Sequence, residues 1–214
     1  MKNKKMLLVG GTLALLLGAF TFGTYSYNKS EKERVEALAH ERSQLFVRDH
    51  SPVLGSDSAK VTLVEFLDPE CESCRMFYPL VKDLLVEFEG KVRLVIRYAP
   101  FHHNSDFAVR LLEAARKQDL YWEALEVFFK NQPTWGDHHA PKPELLWSYL
   151  KDVGVDVEKV KNEINDPAIE KLIQQDLADG KKLGVRRTPA FFANGKPLQR
   201  FGLEELRQLI KSEL

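Results

Sequence analysis

Val61-Thr62-Leu63-Val64-Glu65-Phe66-Leu67-Asp68-Pro69-Glu70-Cys71-Glu72-Ser73-Cys74-Arg75-Met76-Phe77-Tyr78-Pro79 is the stretch from which the rest of the chain can be read. Its first seven residues are β-branched and apolar, of strand length, and Asp68-Pro69 closes the run. From Phe77 the apolar positions Phe77, Leu80, Val81, Leu84, Leu85 and Phe88 fall on one face of a helix. The two cysteines therefore lie where a buried strand turns into a helix. Unpaired N–H groups and the positive end of the helix dipole favour a thiolate on Cys71 there. The thiolate is the species that attacks a disulfide. Two residues further on, Cys74 can reach back and resolve a mixed disulfide formed on Cys71.

A C-x-x-C spacing is also half of a zinc site, but the chain has only two cysteines and no second pair to complete a four-thiolate site. Redox chemistry is the leading reading. A purely structural disulfide over so short a loop would constrain little of the unfolded chain. The alternative of a different class is a metal-binding module or metallochaperone built from Cys71, Cys74 and a histidine. His102-His103 and His138-His139 are the candidates for that third ligand, yet adjacent loop histidines point in different directions. They are read as surface or capping residues.

The chain has 214 residues, 44% hydrophobic and 29% charged, which suits one or two globular units with a real core. Lys+Arg 31 against Asp+Glu 31 leaves no net charge and gives no reason to expect nucleic-acid binding. Only the N-terminus is biased. Met1-Lys2-Asn3-Lys4-Lys5 precedes the uncharged, apolar or small Met6–Tyr27. At about 20 residues that run can cross a bilayer, and it exceeds the roughly 7–15 residues of a signal-peptide core. No clean small-x-small cleavage site precedes the charged segment. Residues 1–28 are thus expected to be a cytoplasmic stub and a single-pass anchor in the inner membrane, with everything beyond Asn28 on the far side. A cleaved signal, leaving a soluble periplasmic protein, is the alternative. In both cases the cysteines meet an oxidising compartment.

Residues 29–50 read as a charged helical spacer, with Val35, Leu38, Leu45 and Phe46 at roughly helical spacing. Ser51–Ala59 is turn-rich and leads into the first strand. Gly90 ends the cysteine-bearing helix, and Val92–Tyr98 is a second buried strand. Strand, helix and strand at this spacing imply a parallel βαβ unit with a right-handed crossover, so 51–101 is the first half of an α/β domain. Residues 102–183 carry helix patterns only, over 105–117, 119–131, 143–153, 156–165 and 168–183, separated by Pro133, Pro141, Gly154 and Pro167. Trp122, Trp135, Trp147 and Phe128-Phe129 are expected in their core. Residues 184–214 return to the sheet: Pro189–Gln199 is a hairpin turning at Asn194-Gly195, and Leu203, Leu206, Leu209 and Ile210 form a last amphipathic helix.

Over residues 51–214 the chain resembles the DsbA-like thiol–disulfide oxidoreductases, exported proteins with a thioredoxin fold and a helical insertion. The cysteine stretch carries the resemblance, with three further features. Glu65 stands six residues before Cys71, where that family keeps a buried acid. Pro79, eight residues after Cys71, matches the proline that kinks the active-site helix. Gly184-Val185-Arg186-Arg187-Thr188-Pro189 resembles the cis-proline loop. The resemblance implies an α/β, thioredoxin-like fold with an inserted all-helical subdomain. It further implies dithiol–disulfide exchange with exported proteins and a membrane or soluble redox partner, with no organic cofactor and no metal. Cys71 is the expected exposed nucleophile and Cys74 the buried resolving thiol, while Thr188, Pro189 and Arg187 position substrate. Glu65 shares a strand face with Leu63 and Leu67, where burial should raise its pKa and suit it to move the proton. A monomer is expected, since no dimerisation domain of the related isomerases is evident.

Between its cysteines the family's strong oxidant has a histidine, whereas this chain has Glu72-Ser73. Glu70 and Glu72 add negative charge beside Cys71, with Arg75, Arg186 and Arg187 to offset it. A weaker oxidant is expected, between thioredoxin (about −270 mV) and DsbA (about −120 mV).

Overall fold

The structure, a computed structural model, describes residues 21–27, 29 and 43–214. The expectations for residues 1–20 and for most of the spacer lie outside these. Thr21–Tyr27 is helical, and among the described residues no helix is long and apolar enough to cross a membrane. The chain divides between Gln44 and Leu45 into two units, and the second carries the cysteines.

The sheet of that unit runs β1 (Val53–Leu54), β3 (Val92–Tyr98), β2 (Val61–Leu67), β4 (Ala190–Ala193), β5 (Lys196–Pro197) across its width. β2 and β3 are parallel, in register from Val61 opposite Val92 to Leu67 opposite Tyr98. Parallel strands covered on both faces read as continuous apolar runs, which is why these two were evident. β4 joins β2 antiparallel, and β4 turns into β5 through Asn194 (φ 48°) and Gly195 (φ 80°), the two positive φ values that a tight hairpin turn requires. β1 was missed. Its two residues pair with the outer edge of β3, too short a run to show alternation inside a turn-rich stretch.

Among the described residues of this unit seven α-helices alternate with or extend the strands: α1 (Glu72–Glu87), α2 (Ser105–Arg116), α3 (Tyr121–Trp135), α4 (Leu146–Asp152), α5 (Val157–Glu163), α6 (Pro167–Lys182) and α7 (Leu203–Ser212). α2 to α6 form the inserted helical subdomain. Asp156 caps α5 by accepting from the N–H groups of Glu158 and Lys159, and Asp166 with Pro167 starts α6. Two details differ from the pattern. Pro133 lies inside α3, which runs on two residues to Trp135 although the proline forgoes the one N–H bond that its position would make. Of the tryptophans only Trp135 is fully buried, its indole N–H donating to Phe128 O at 2.8 Å. Trp122 and Trp147 are half-buried at the rim.

Strand alternation sorts the side chains into two cores. Leu63, Leu67, Leu94, Ile96, Tyr98 and Phe191 join the core with α1, α7 and the insertion. Val64, Phe66, Val95 and Phe192 form a smaller core on the opposite face with Phe46. There α6 approaches so closely that a Cβ on Gly180 would lie 3.2 Å from the Phe66 ring.

Arg97 points from β3 into this second face and is fully buried. It donates to Asp176 Oδ1 (2.9 Å), Asp179 Oδ2 (2.8 Å) and the carbonyl of Leu45 (2.6 Å). Arg48 donates to both oxygens of Asp179, and His50 Nε2 lies 2.6 Å from Asp176 Oδ1. Residues 45–50, expected to end the spacer, are therefore bound to the domain. Its boundary is Leu45 rather than residue 51.

Candidate active site

β2 delivers its last residue, Leu67, to the Asp68-Pro69-Glu70 turn, and Cys71 is the N-cap of α1. The turn is tied by Cys71 N–H to Asp68 O (3.1 Å) and by Glu70 N–H to Asp68 Oδ1 (2.9 Å). No side chain caps α1, which leaves its first N–H groups to the sulfur. The Cys71 thiol is lowered to about 6, first by a hydrogen bond from Cys74. Thr188 and the N–H groups of Cys74 and Ser73 add to this, against an opposing burial. Cys74 is the reverse case. Burial, then its hydrogen bond to Cys71 and the charge of Glu65, push its thiol well above the ordinary value. One thiol ionises readily while the other holds its proton.

Cys71 is not as open as expected. It is 7% exposed, against 0% for Cys74, because Thr188 lies over it, with Cys71 Sγ 3.3 Å from the Thr188 carbonyl. The Thr188–Pro189 bond is cis. Glu65 is 1% exposed on the strand face shared with Leu63 and Leu67. Neither carboxylate oxygen has a hydrogen-bond partner, and burial first, with the Cys71 charge second, raises it to about 8. Arg187 is exposed. With Arg186, Pro189, Phe191 and Phe201 it lines a cavity of about 420 Å³ beside the cis-proline loop, and no hydrogen bond or ion pair links it to the thiols.

The charges expected around Cys71 are arranged differently. Glu70 is buried, and its carboxylate accepts from Asn104 N (2.7 Å) and Asn104 Nδ2 (2.8 Å), closing the start of α2. Arg75 donates to Gln132 Oε1 (2.9 Å), and Gln132 donates in turn to Pro69 O (2.9 Å). Of the two glutamates only Glu72 stays exposed.

Asp68, Ser105 and Gln132 carry no site signal in the sequence pattern, and His102, expected as a surface or capping residue, stands at the site with them. Asp68 is fully buried and accepts from the N–H groups of Phe101 (2.8 Å) and His102 (3.1 Å), and from the Ser105 hydroxyl. His102 Nδ1 lies 2.7 Å from its Oδ2. The signal was present: parallel strands aligned at Leu67 and Tyr98 must place the loops at their carboxyl ends side by side, where α/β sheets bind ligands. Among the described residues no group of three or more His, Cys, Asp or Glu could hold a metal ion, so the metal alternative gains no support.

A thioredoxin fold with a helical insertion, a dithiol at a helix N-terminus and a cis-proline loop whose Thr188 carbonyl lies against the first sulfur define the class of DsbA-like thiol–disulfide oxidoreductases. The chain belongs to the thioredoxin family, whose model, described as thioredoxin, matches residues 48–212. Disulfide bond formation protein D of Bacillus subtilis is 28% identical over 172 residues, 76% of this chain and 77% of that protein. A solved thioredoxin-like oxidoreductase from Silicibacter pomeroyi aligns with a TM-score of 0.69 at 29% identity, covering 80% of this chain and 96% of that one. A Na(+)/H(+) antiporter NhaA of Herminiimonas arsenicoxydans is 32% identical over 192 residues, 90% of this chain. The chain spans 30% of that antiporter's length.

Proposed function

We propose that this protein exchanges disulfides with exported proteins through Cys71 and Cys74. The observation that carries the reading is the placement of the two thiols, Cys71 at the uncapped start of α1 beneath Thr188 and Cys74 fully buried, which favours the thiolate on the first and disfavours it on the second. In the oxidising direction a substrate thiolate attacks Cys71 Sγ and the Cys71–Cys74 bond breaks. Cys74 leaves with a proton supplied by Glu65. A second substrate thiolate then attacks the substrate sulfur of the mixed disulfide, forming the substrate's disulfide and releasing Cys71 as a thiolate. The reducing direction runs the same steps backwards. Glu65, with a pKa of about 8, can both give and take that proton near neutrality. Backbone groups at Thr188-Pro189 pair with an extended substrate chain, and Arg187 contacts it from the groove mouth. A membrane or soluble redox partner resets the dithiol, and the protein acts as a monomer.

Two measurements test this. Alkylation of the reduced protein is expected to follow a midpoint near pH 6 and to modify Cys71 alone. Cys74→Ala is expected to accumulate mixed disulfides with substrates and Cys71→Ala to form none; trapping through Cys74 alone would reverse the roles.

The placement is extracytoplasmic, with Met6–Tyr27 as an uncleaved anchor. Membrane fractionation and an intact mass that includes Met1 are expected. A mature start near residues 24–30 would establish the soluble alternative instead.

A further inference from the structure

The dipeptide between the cysteines brings no cation, and Arg75 is committed to Gln132. A different group stands at the site. His102 Nδ1 is held 2.7 Å from Asp68 Oδ2, the carboxylate that also shapes the turn bearing Cys71. Its ring lies 5.9 Å from that of His138, whose Nε2 is 3.5 Å from Glu72 Oε1. Asp68, His102, His138 and Glu72 thus form an arc around the first turn of α1.

We propose that His102 is a positioning residue for the exchange reaction, supplying from the β3–α2 loop the positive charge that holds the Cys71 thiolate. The inference rests on the thiol–disulfide reading above. The groups that act on His102 are mostly anionic: Asp68 and Glu70 from the turn after β2, and Cys71 at the start of α1. The His138 ring stands 5.9 Å away on the loop after α3, with Asp137 beside it in sequence, as His103 and Asp106 are close to His102 in sequence. Burial acts to lower the His102 pKa, but the Asp68 hydrogen bond and the charges of Asp68, Cys71 and Glu70 outweigh it and leave it raised. The Cys71 charge disappears when the disulfide forms, so His102 binds its proton more tightly in the reduced protein. Reduction by glutathione then balances as follows. Two glutathione thiols become one glutathione disulfide, the Cys71–Cys74 bond is cleaved, Cys74 takes one of the two protons, and His102 or water takes the other.

The test uses the full chain equilibrated with glutathione and glutathione disulfide from pH 5.5 to 8.5, read by thiol counting, with Cys71 thiolate absorbance followed in parallel. His102→Gln keeps a hydrogen-bond donor for Asp68 but loses the charge. It is expected to lower the equilibrium constant for reduction about three- to tenfold near pH 6, roughly 0.7–1.4 kcal/mol, and to raise the pH at which the thiolate forms. The difference from the native protein should shrink as pH rises through the raised pKa of the native imidazole, where its charge is lost. His102→Lys restores the charge and is expected to match or exceed the native constant at every pH. A Gln variant indistinguishable from the native protein overturns the proposal. Equal losses in Gln and Lys also overturn it, since they would assign His102 a structural role through Asp68. A native protein that never equilibrates with glutathione would instead remove the thiol–disulfide reading itself.

Discussion

Glu65→Gln is expected to gain about 3 kcal/mol in stability over the native protein as pH rises from 4.5 to 7, and to slow disulfide exchange. The native carboxyl has a raised pKa, about 8 against an ordinary 4.5, because it is buried with no hydrogen-bond partner. In the unfolded chain the group sheds its proton above pH 4.5, while the folded protein must keep it. The folded protein therefore loses about 1.4 kcal/mol per pH unit, roughly 3 kcal/mol by pH 7 and about 5 by pH 8, after which the loss levels off. Gln cannot ionise, so its stability lacks this slope, even though a buried unpaired amide carries a constant penalty of its own. Denaturant unfolding of both reduced proteins at pH 5 and pH 8 reads the difference, and parallel profiles would show that Glu65 does not titrate as argued. The same substitution removes the proton donor for departing Cys74. Single-turnover exchange is expected to slow by about 10²-fold, at the lower end of what general acid catalysis contributes.

Arg97→Leu is expected to destabilise the fold by about 3–5 kcal/mol, the range for removing one partner from a buried ion pair. Asp176 and Asp179 would remain fully buried; Arg48 and His50 would remain, but both lie nearer the surface. Burial raises the Asp179 carboxyl, yet Arg48 and Arg97 outweigh it and hold the group below its ordinary value. A depressed carboxylate contributes stability that is present above pH 3.8 and is lost as pH falls through its folded pKa. The variant's deficit should accordingly be largest near neutrality and narrow in acid. Lys should not rescue it, because a single ammonium cannot reproduce the fork that meets Asp176, Asp179 and Leu45 O together. Guanidinium denaturation measures the loss. A value below about 1 kcal/mol would mean that Arg48 and His50 suffice.

What could be read in the sequence was what local periodicity and short motifs encode. β2 and β3 are predominantly apolar runs of strand length, Asn194-Gly195 forces its own turn, and the face of Glu65 follows from counting in twos along one strand. What could not be read depends on pairings across the chain. Arg97 meets its aspartates 79 and 82 residues away, so nothing in the sequence around it announces the pairing. Leu45 and Phe46 looked like the end of a helix, while their partners are Arg97 and Phe192. Glu70 was counted as a charge beside Cys71, but Asn104 draws its carboxylate to α2. Only Glu72 is then left free of α2 to weaken the oxidant, and it faces His138. His102 was set aside as a surface residue because its distance from Cys71 in sequence hid the adjacency that parallel strands impose.

The strut Arg75–Gln132–Pro69 bears on how such a protein can be recombined. Through it the helix that carries the cysteines and the turn that precedes them are both fastened to α3, inside the insertion. The insertion is therefore no interchangeable module. A chimera that took its helices from a relative without a glutamine at this position would leave the Pro69 carbonyl without that donor and Arg75 without its acceptor. Its dithiol would then sit on a looser turn, with redox properties belonging to neither parent.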